Sequence, residues 1–281
     1  MIMSGIANLT AYSMLAQAGI GLAVMLYIGN KVCKLDGAEE TFYRNGFFLA
    51  ALLTAMAMLV SLTHLGSPLR APNAILHLGS SWLSREIFCN GLFFACIGVT
   101  FLLAWKKRAF GWCALASVLT GLACVFCQAS IYAHAVMPAW EYGNAYVSFF
   151  AAAFSTGAVI AGLILLRRGE AAERGRTFLF VITGVLFLSI ALQIGWYAVL
   201  AGKLETAGAA GLSSLSLLAQ KDTWVMLSLF CLLLGFIGCL SQIYQKQTNP
   251  AWVSYMTAIF VIAGEVIGRA VFYGIGAPIG L

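Results

Sequence analysis

Charge is what this sequence has least of. Asp, Glu, Lys and Arg together make up 9% of its 281 residues, against about 25% in an ordinary soluble domain. With so few polar heads to cover a surface, a water-soluble globule is excluded, as are a coiled coil and a disordered chain. Histidine is nearly as scarce, at three residues. A Gly-rich phosphate loop, an HExxH helix and a second CxxC to match Cys124 and Cys127 are all missing, which removes nucleotide, zinc-protease and iron–sulfur chemistry from the first readings. What remains is apolar: 62% hydrophobic residues, 19 phenylalanines and a mean hydropathy of +0.92. That composition predicts a polytopic membrane protein.

A bilayer core takes about 20 apolar residues per helix. Eight stretches qualify: 9–29, 45–63, 87–105, 109–132, 146–166, 177–200, 224–244 and 252–273. Their apolar runs are continuous, whereas barrel strands alternate with period two, so the expectation is an all-α bundle of eight transmembrane helices. No basic stretch precedes the first span, which reads as a retained helix. The connections are too short for a soluble domain, so 1–281 reads as a single membrane domain. Seven of the eight cysteines fall inside spans and read as small packing residues.

Orientation follows from the basic residues. Alternate loops on one side carry Lys31, Lys34, Arg44, Lys106, Lys107, Arg108, Arg167, Arg168, Arg174, Arg176 and Lys246. The other side carries Arg70, Arg85, Lys203 and Lys221. The rule that basic loops stay in the cytoplasm then puts both termini on the outer side.

Three places hold polar groups that a membrane protein would not keep without cause. The first is the outer loop 64–86, HLGSPLRAPNAILHLGSSWLSRE, which is long for a connection and rich in apolar residues and in turn-fixing Gly and Pro. It is expected to lie on the membrane surface, partly re-entrant. It brings an imidazole, His64, and a carboxylate, Glu86, to one depth, a pair able to take the two protons released when a quinol is oxidised. A structural role is equally open to them, His64 capping one span and Glu86 answering the dipole of the next. The second place is the last span, where Glu265 and Arg269 stand four residues apart, the spacing for an ion pair within one helix. That pair either holds a quinone oxygen or locks the span into the bundle. The third is 202–222, whose Ser and Leu patch at 211–218 suggests a short interfacial helix. His77, in a second HLGS, and His134 read as interface residues.

The segments HLGSPLRAPN, LSREI and GEVIGRAVFYG resemble the membrane anchor subunit family of dimethyl-sulfoxide reductase. The resemblance rests on His64, Leu65, Gly66, Ser67, Pro68, Arg70, Ala71 and Asn73, then Leu83, Ser84, Glu86 and Ile87, then Gly264, Glu265, Ile267, Gly268, Arg269, Phe272, Tyr273 and Gly274. It implies a bacterial inner-membrane subunit that oxidises menaquinol and passes electrons to an iron–sulfur subunit, which feeds a molybdopterin catalytic subunit. It also implies no haem or metal in the anchor, and a quinol site that includes His64 and Glu86, to which Arg70, Glu265 and Arg269 are added as candidate quinol ligands. Two other readings stand beside it. A haem b anchor needs two deep histidines on facing helices, and a secondary transporter is expected to show repeats and midplane charges.

Overall fold

The computed structural model describes residues 2–31, 40–62, 77–141, 143–166, 173–244 and 251–276. His64, Arg70 and most of the loop that contains them lie outside the described residues. Within them the structure is helical, with nine α-helices and no strand: α1 (Ile2–Lys31), α2 (Glu40–Leu62), α3 (Trp82–Trp105), α4 (Gly111–Ala133), α5 (Asn144–Leu166), α6 (Glu173–Thr206), α7 (Gly208–Ala219), α8 (Asp222–Tyr244) and α9 (Ala251–Gly274). All but α7 are long and apolar enough to cross a membrane. The short α7 coincides with the expected interfacial helix.

The helix starts differ from those that apolarity alone suggests. Helix α3 begins five residues before 87, because the Ser81 side chain accepts the Ser84 N–H at 3.3 Å and caps a first turn, Trp82 to Arg85, that the polar Ser84, Arg85 and Glu86 had left outside the apolar run. Arg85 fastens that turn by donating to the carbonyls of Leu78 and Gly79, each at 2.8 Å, with its guanidinium 4.2 Å from the Trp82 ring centre. Residues 82–86 are therefore helix, and Glu86 is a buried group of its second turn where a loop-end carboxylate near water was expected. At 34 residues α6 rises about 50 Å at 1.5 Å per residue, well beyond a hydrocarbon core of about 30 Å.

Helix α1 is the hub, packed against α2, α4, α5 and α9. Its most apolar window is 72% buried, against 28% for α2, α3 and α8. The closest approach is to α5, where a Cβ on Gly21 would overlap the Ala153 carbonyl and one on Gly157 would overlap the backbone of Gly21. Two backbones can touch there because neither residue has a side chain, the usual device for close helix contact in lipid.

Aromatic rings pack at both ends of the bundle, with Tyr132, Phe149, Phe272 and Tyr273 clustered where α9 ends. At the end where α2, α4 and α6 begin, Phe42, Tyr43, Phe47, Phe110 and Phe178 pack ring against ring with centroids 5.1 to 6.2 Å apart. At the other end a small apolar cap of Ala139, Leu200, Leu204, Val271 and Ile275 closes over the ends of α6 and α9. Trp140 belongs to that cap: its indole N–H donates to the Phe272 carbonyl at 2.7 Å, and its ring stacks on Phe272. Beneath this cap lie most of the buried polar side chains considered next.

Candidate quinol site in the polar interior

Helix α1 supplies the centre of the site. Ser13 and Gln17 stand one turn apart at i and i+4, so a stripe of an otherwise apolar helix is polar and turned inward, and Tyr12 lies alongside it. The Tyr12 hydroxyl donates to Glu86 Oε1 of α3 at 2.6 Å. It also receives Gln128 Nε2 of α4 and Asn90 Nδ2 of α3, both at a long 3.5 Å. Gln128 Oε1 in turn accepts from Gln17 Nε2 at 3.2 Å, and Gln17 Oε1 accepts from Arg269 Nη2 of α9 at 2.7 Å.

These bonds form one line with every donor pointing the same way: Arg269 to Gln17, Gln17 to Gln128, Gln128 to Tyr12, Tyr12 to Glu86. A cation stands at the donor end and a carboxylate at the acceptor end, so each bond polarises the next in the sense that both charges favour. Side-chain amides transmit that polarity but do not readily hand on a proton. The hydroxyl of Tyr12 is donor and acceptor at once, so proton movement is confined to the Tyr12–Glu86 step.

Glu265 and Arg269 share a face of α9, and both are buried. The ion pair expected from their spacing does not form, because each is drawn to a different neighbour. Glu265 Oε1 accepts from Ser155 Oγ of α5 at 2.6 Å and Gln193 Nε2 of α6 at 3.1 Å. Arg269 reaches the other way, to Gln17 and to the Ser148 carbonyl at 3.2 Å, with its guanidinium carbon 3.7 Å from the Phe149 ring centre. A buried charge held by neutral dipoles and an aromatic face avoids collapsing onto a counter-ion. Among the described residues Arg269 Nε and Nη1 have no hydrogen-bond partner. With Glu265, Gln193, Trp196 and Tyr197 this arginine lines a cavity of about 20 Å³, room for one water-sized group. The arrangement offers donors to a single oxygen atom.

Other candidates are placed as follows. The His134 ring stands at the end of α4, with Nδ1 2.9 Å from the Ser130 carbonyl and its face against Trp82, 5.3 Å between centroids. His77 lies on the exposed turn before α3. Cys124 and Cys127 are buried, and among the described residues no three of His, Cys, Asp or Glu come together as a metal site would require. Sequence reasoning missed Tyr12, Gln17, Asn90, Gln128, Ser155 and Gln193. The signal was there: Gln17, Gln128 and Gln193 are three of four glutamines inside apolar spans, and Asn90 stands one helical turn from Glu86.

Residues 3–275 match the sequence profile of the DMSO reductase anchor subunit (DmsC) family. The chain belongs to this family. It is 29% identical to the anaerobic dimethyl sulfoxide reductase protein YnfH of Escherichia coli (strain K12) over 279 residues, covering 97% of this chain and 95% of that protein. It is 29% identical to the C subunit of the same organism's anaerobic dimethyl sulfoxide reductase over 239 residues, 82% of this chain and 80% of that one. The C subunit of the Haemophilus influenzae anaerobic dimethyl sulfoxide reductase is 23% identical over 280 residues, with 97% and 95% covered. A DmsC-family anchor with eight apolar helices is a multi-pass protein of the bacterial inner membrane. Membership also favours an anchor subunit over a haem b cytochrome or a transporter.

Proposed function

We propose that this anchor subunit oxidises menaquinol and delivers the electrons to an iron–sulfur partner subunit, which supplies a molybdopterin catalytic subunit in anaerobic respiration. The observation that supports it best is the directed line of hydrogen bonds from Arg269 to Glu86, a buried acid and a buried base tied into one polar interior. Menaquinol loses two electrons and two protons. The electrons leave one at a time to the partner's cluster. One proton goes to an imidazole nitrogen of His64 and one to the carboxylate of Glu86, which Tyr12 orients, and both are then released to water at that face.

The remaining roles follow from chemistry. Arg70 and Arg269 are cations suited to hold a quinone oxygen as charge builds on it, and Glu265 fixes the polar wall beside Arg269. The excess of basic residues in one set of loops supports a topology with both termini, α7 and the site on the periplasmic side. Residues 1–281 then act as one membrane unit, with loop 64–86 as the outer element of the quinol site.

The test is quinol-dependent reductase activity of the assembled complex in membranes. His64→Leu is expected to abolish it while the partner subunits stay bound. Wild-type turnover in that variant would remove His64 from the site, and full activity in both His64→Leu and Glu86→Gln would overturn the reading.

A further inference from the structure

A groove of about 790 Å³ runs along the outside of α1 and α9, with Leu53 of α2 and Thr156 and Ile160 of α5 on its walls, separate from the cavity at Arg269. It follows residues 6–18 of α1 and 262–274 of α9, twelve residue steps on each helix, or about 18 Å at 1.5 Å per step. One leaflet of hydrocarbon is about 15 Å deep. The groove therefore spans a single leaflet, from the end of the bundle that carries α7 to the middle of the membrane. Its walls are apolar, and Ile262, Val266 and Ala270 along one edge are exposed, so it opens sideways toward lipid.

Three polar residues interrupt the apolar lining, of which Thr156 of α5 already donates its hydroxyl to the Ala152 carbonyl; the other two are not so engaged. Lys221, in the turn between α7 and α8, lies across Gly274 at the mouth, where a Cβ would come within 2.9 Å of its Cε and 3.2 Å of its Nζ. Among the described residues no acidic side chain and no hydrogen bond meets its ammonium; the adjacent Asp222 is turned to the N–H of Thr223. Thr10, one helical turn further in than Ile6, is more than nine-tenths buried, and its Oγ1 has no hydrogen-bond partner. A cation with no counter-charge among the described residues, set at the mouth of a leaflet-deep apolar groove, matches a phosphate with its hydrocarbon below. A buried hydroxyl just inside the mouth matches the ester carbonyl between them.

We propose that this groove binds one anionic phospholipid of the leaflet on the α7 side, its phosphate at Lys221, an ester carbonyl at the Thr10 hydroxyl and its acyl chains along α1 and α9. A quinol has an uncharged ring and gives no use to the ammonium, and a partner's transmembrane helix has none for an isolated cation above a lone hydroxyl. The lipid ties the first helix of the chain to the last on the side away from the hydrogen-bond line. The site is independent of the quinol reading.

The experiment is lipid mass spectrometry on the complex purified in mild detergent, then depleted of lipid and offered nanodiscs of phosphatidylglycerol or phosphatidylethanolamine. The wild type is expected to retain phosphatidylglycerol about fivefold over phosphatidylethanolamine, the share of one lysine near a membrane surface. Lys221→Gln is expected to erase the preference, and Ala270→Trp to expel both lipids. Lys221 is half-exposed in a turn, so its replacement leaves folding intact and keeps the test decisive. An unchanged preference in Lys221→Gln, a quinone released by Ala270→Trp, or cross-linking of residue 270 to a partner subunit would overturn the proposal.

Discussion

Helices α1 and α8 both have the length to cross a bilayer, yet they are built on opposite plans. Helix α8 is the more apolar, with a mean hydropathy of 2.3 against 1.5, but only 28% of its window is buried against 72% for α1. In water the more apolar helix would go inside. Here Trp224, Met226, Phe230, Leu233 and Ile237 of α8 are exposed, while Ser13 and Gln17 of α1 are buried. Lipid is as good a home for leucine as a protein core, so burial in this protein sorts side chains by their need for hydrogen bonds and not by aversion to solvent. The same contrast separates the two ends of the bundle: rings pack at both, but the buried Glu86, Glu265 and Arg269 stand at one.

Breaking the polar side is expected to have the largest effect. Beyond the loss predicted for His64→Leu, Glu86→Gln should lower quinol turnover by about 10²- to 10⁴-fold, the usual worth of a positioned acid–base group, with partner subunits still bound; stopped-flow quinol oxidation reads it. Arg269→Met removes the donor end of the line and leaves Gln17 Oε1 unanswered. A buried acceptor left without its donor costs about 1–3 kcal/mol, so thermal unfolding in detergent should show a lower midpoint and the assembled complex should be less abundant. Phe47→Ala at the opposite end is expected to lower the midpoint as well, by a cavity cost of about 3 kcal/mol, but to leave the quinol KM unchanged, which separates the two ends. Tyr12→Phe keeps the ring and deletes the hydroxyl. It should reduce turnover about tenfold, in line with about 1.5 kcal/mol for a hydrogen bond to a charged group. Met226→Ala on the lipid face should change neither quantity measurably.

The arrangement of spans was legible because continuous apolar runs long enough to cross a bilayer have few alternatives. Boundaries were less so. Apolarity marks where a helix enters hydrocarbon, whereas the start of α3 is set by the Ser81 cap and the Arg85 clamp, both polar. Glu265, Arg269 and Glu86 stood out because charge in an apolar span is conspicuous. Their partners did not, since Gln17, Gln128 and Gln193 are neutral and each lies in a different helix. Spacing along one helix predicted a Glu265–Arg269 pair, and contacts across helices decided otherwise: the interior offers Gln17 and Ser148 to the guanidinium, Ser155 and Gln193 to the carboxylate. Distance along one helix is readable from sequence; competition from other helices is not.

The bond from Arg269 to Gln17 joins residues 252 positions apart, between the first helix made and the last. At about 5–20 residues per second of synthesis, Gln17 waits roughly 10–50 s in the membrane before its partner exists. During that interval the hub helix carries an open amide, and a polypeptide that stops short of α9 never closes it. The bond is thus a late event in assembly, made only once α9 is in place.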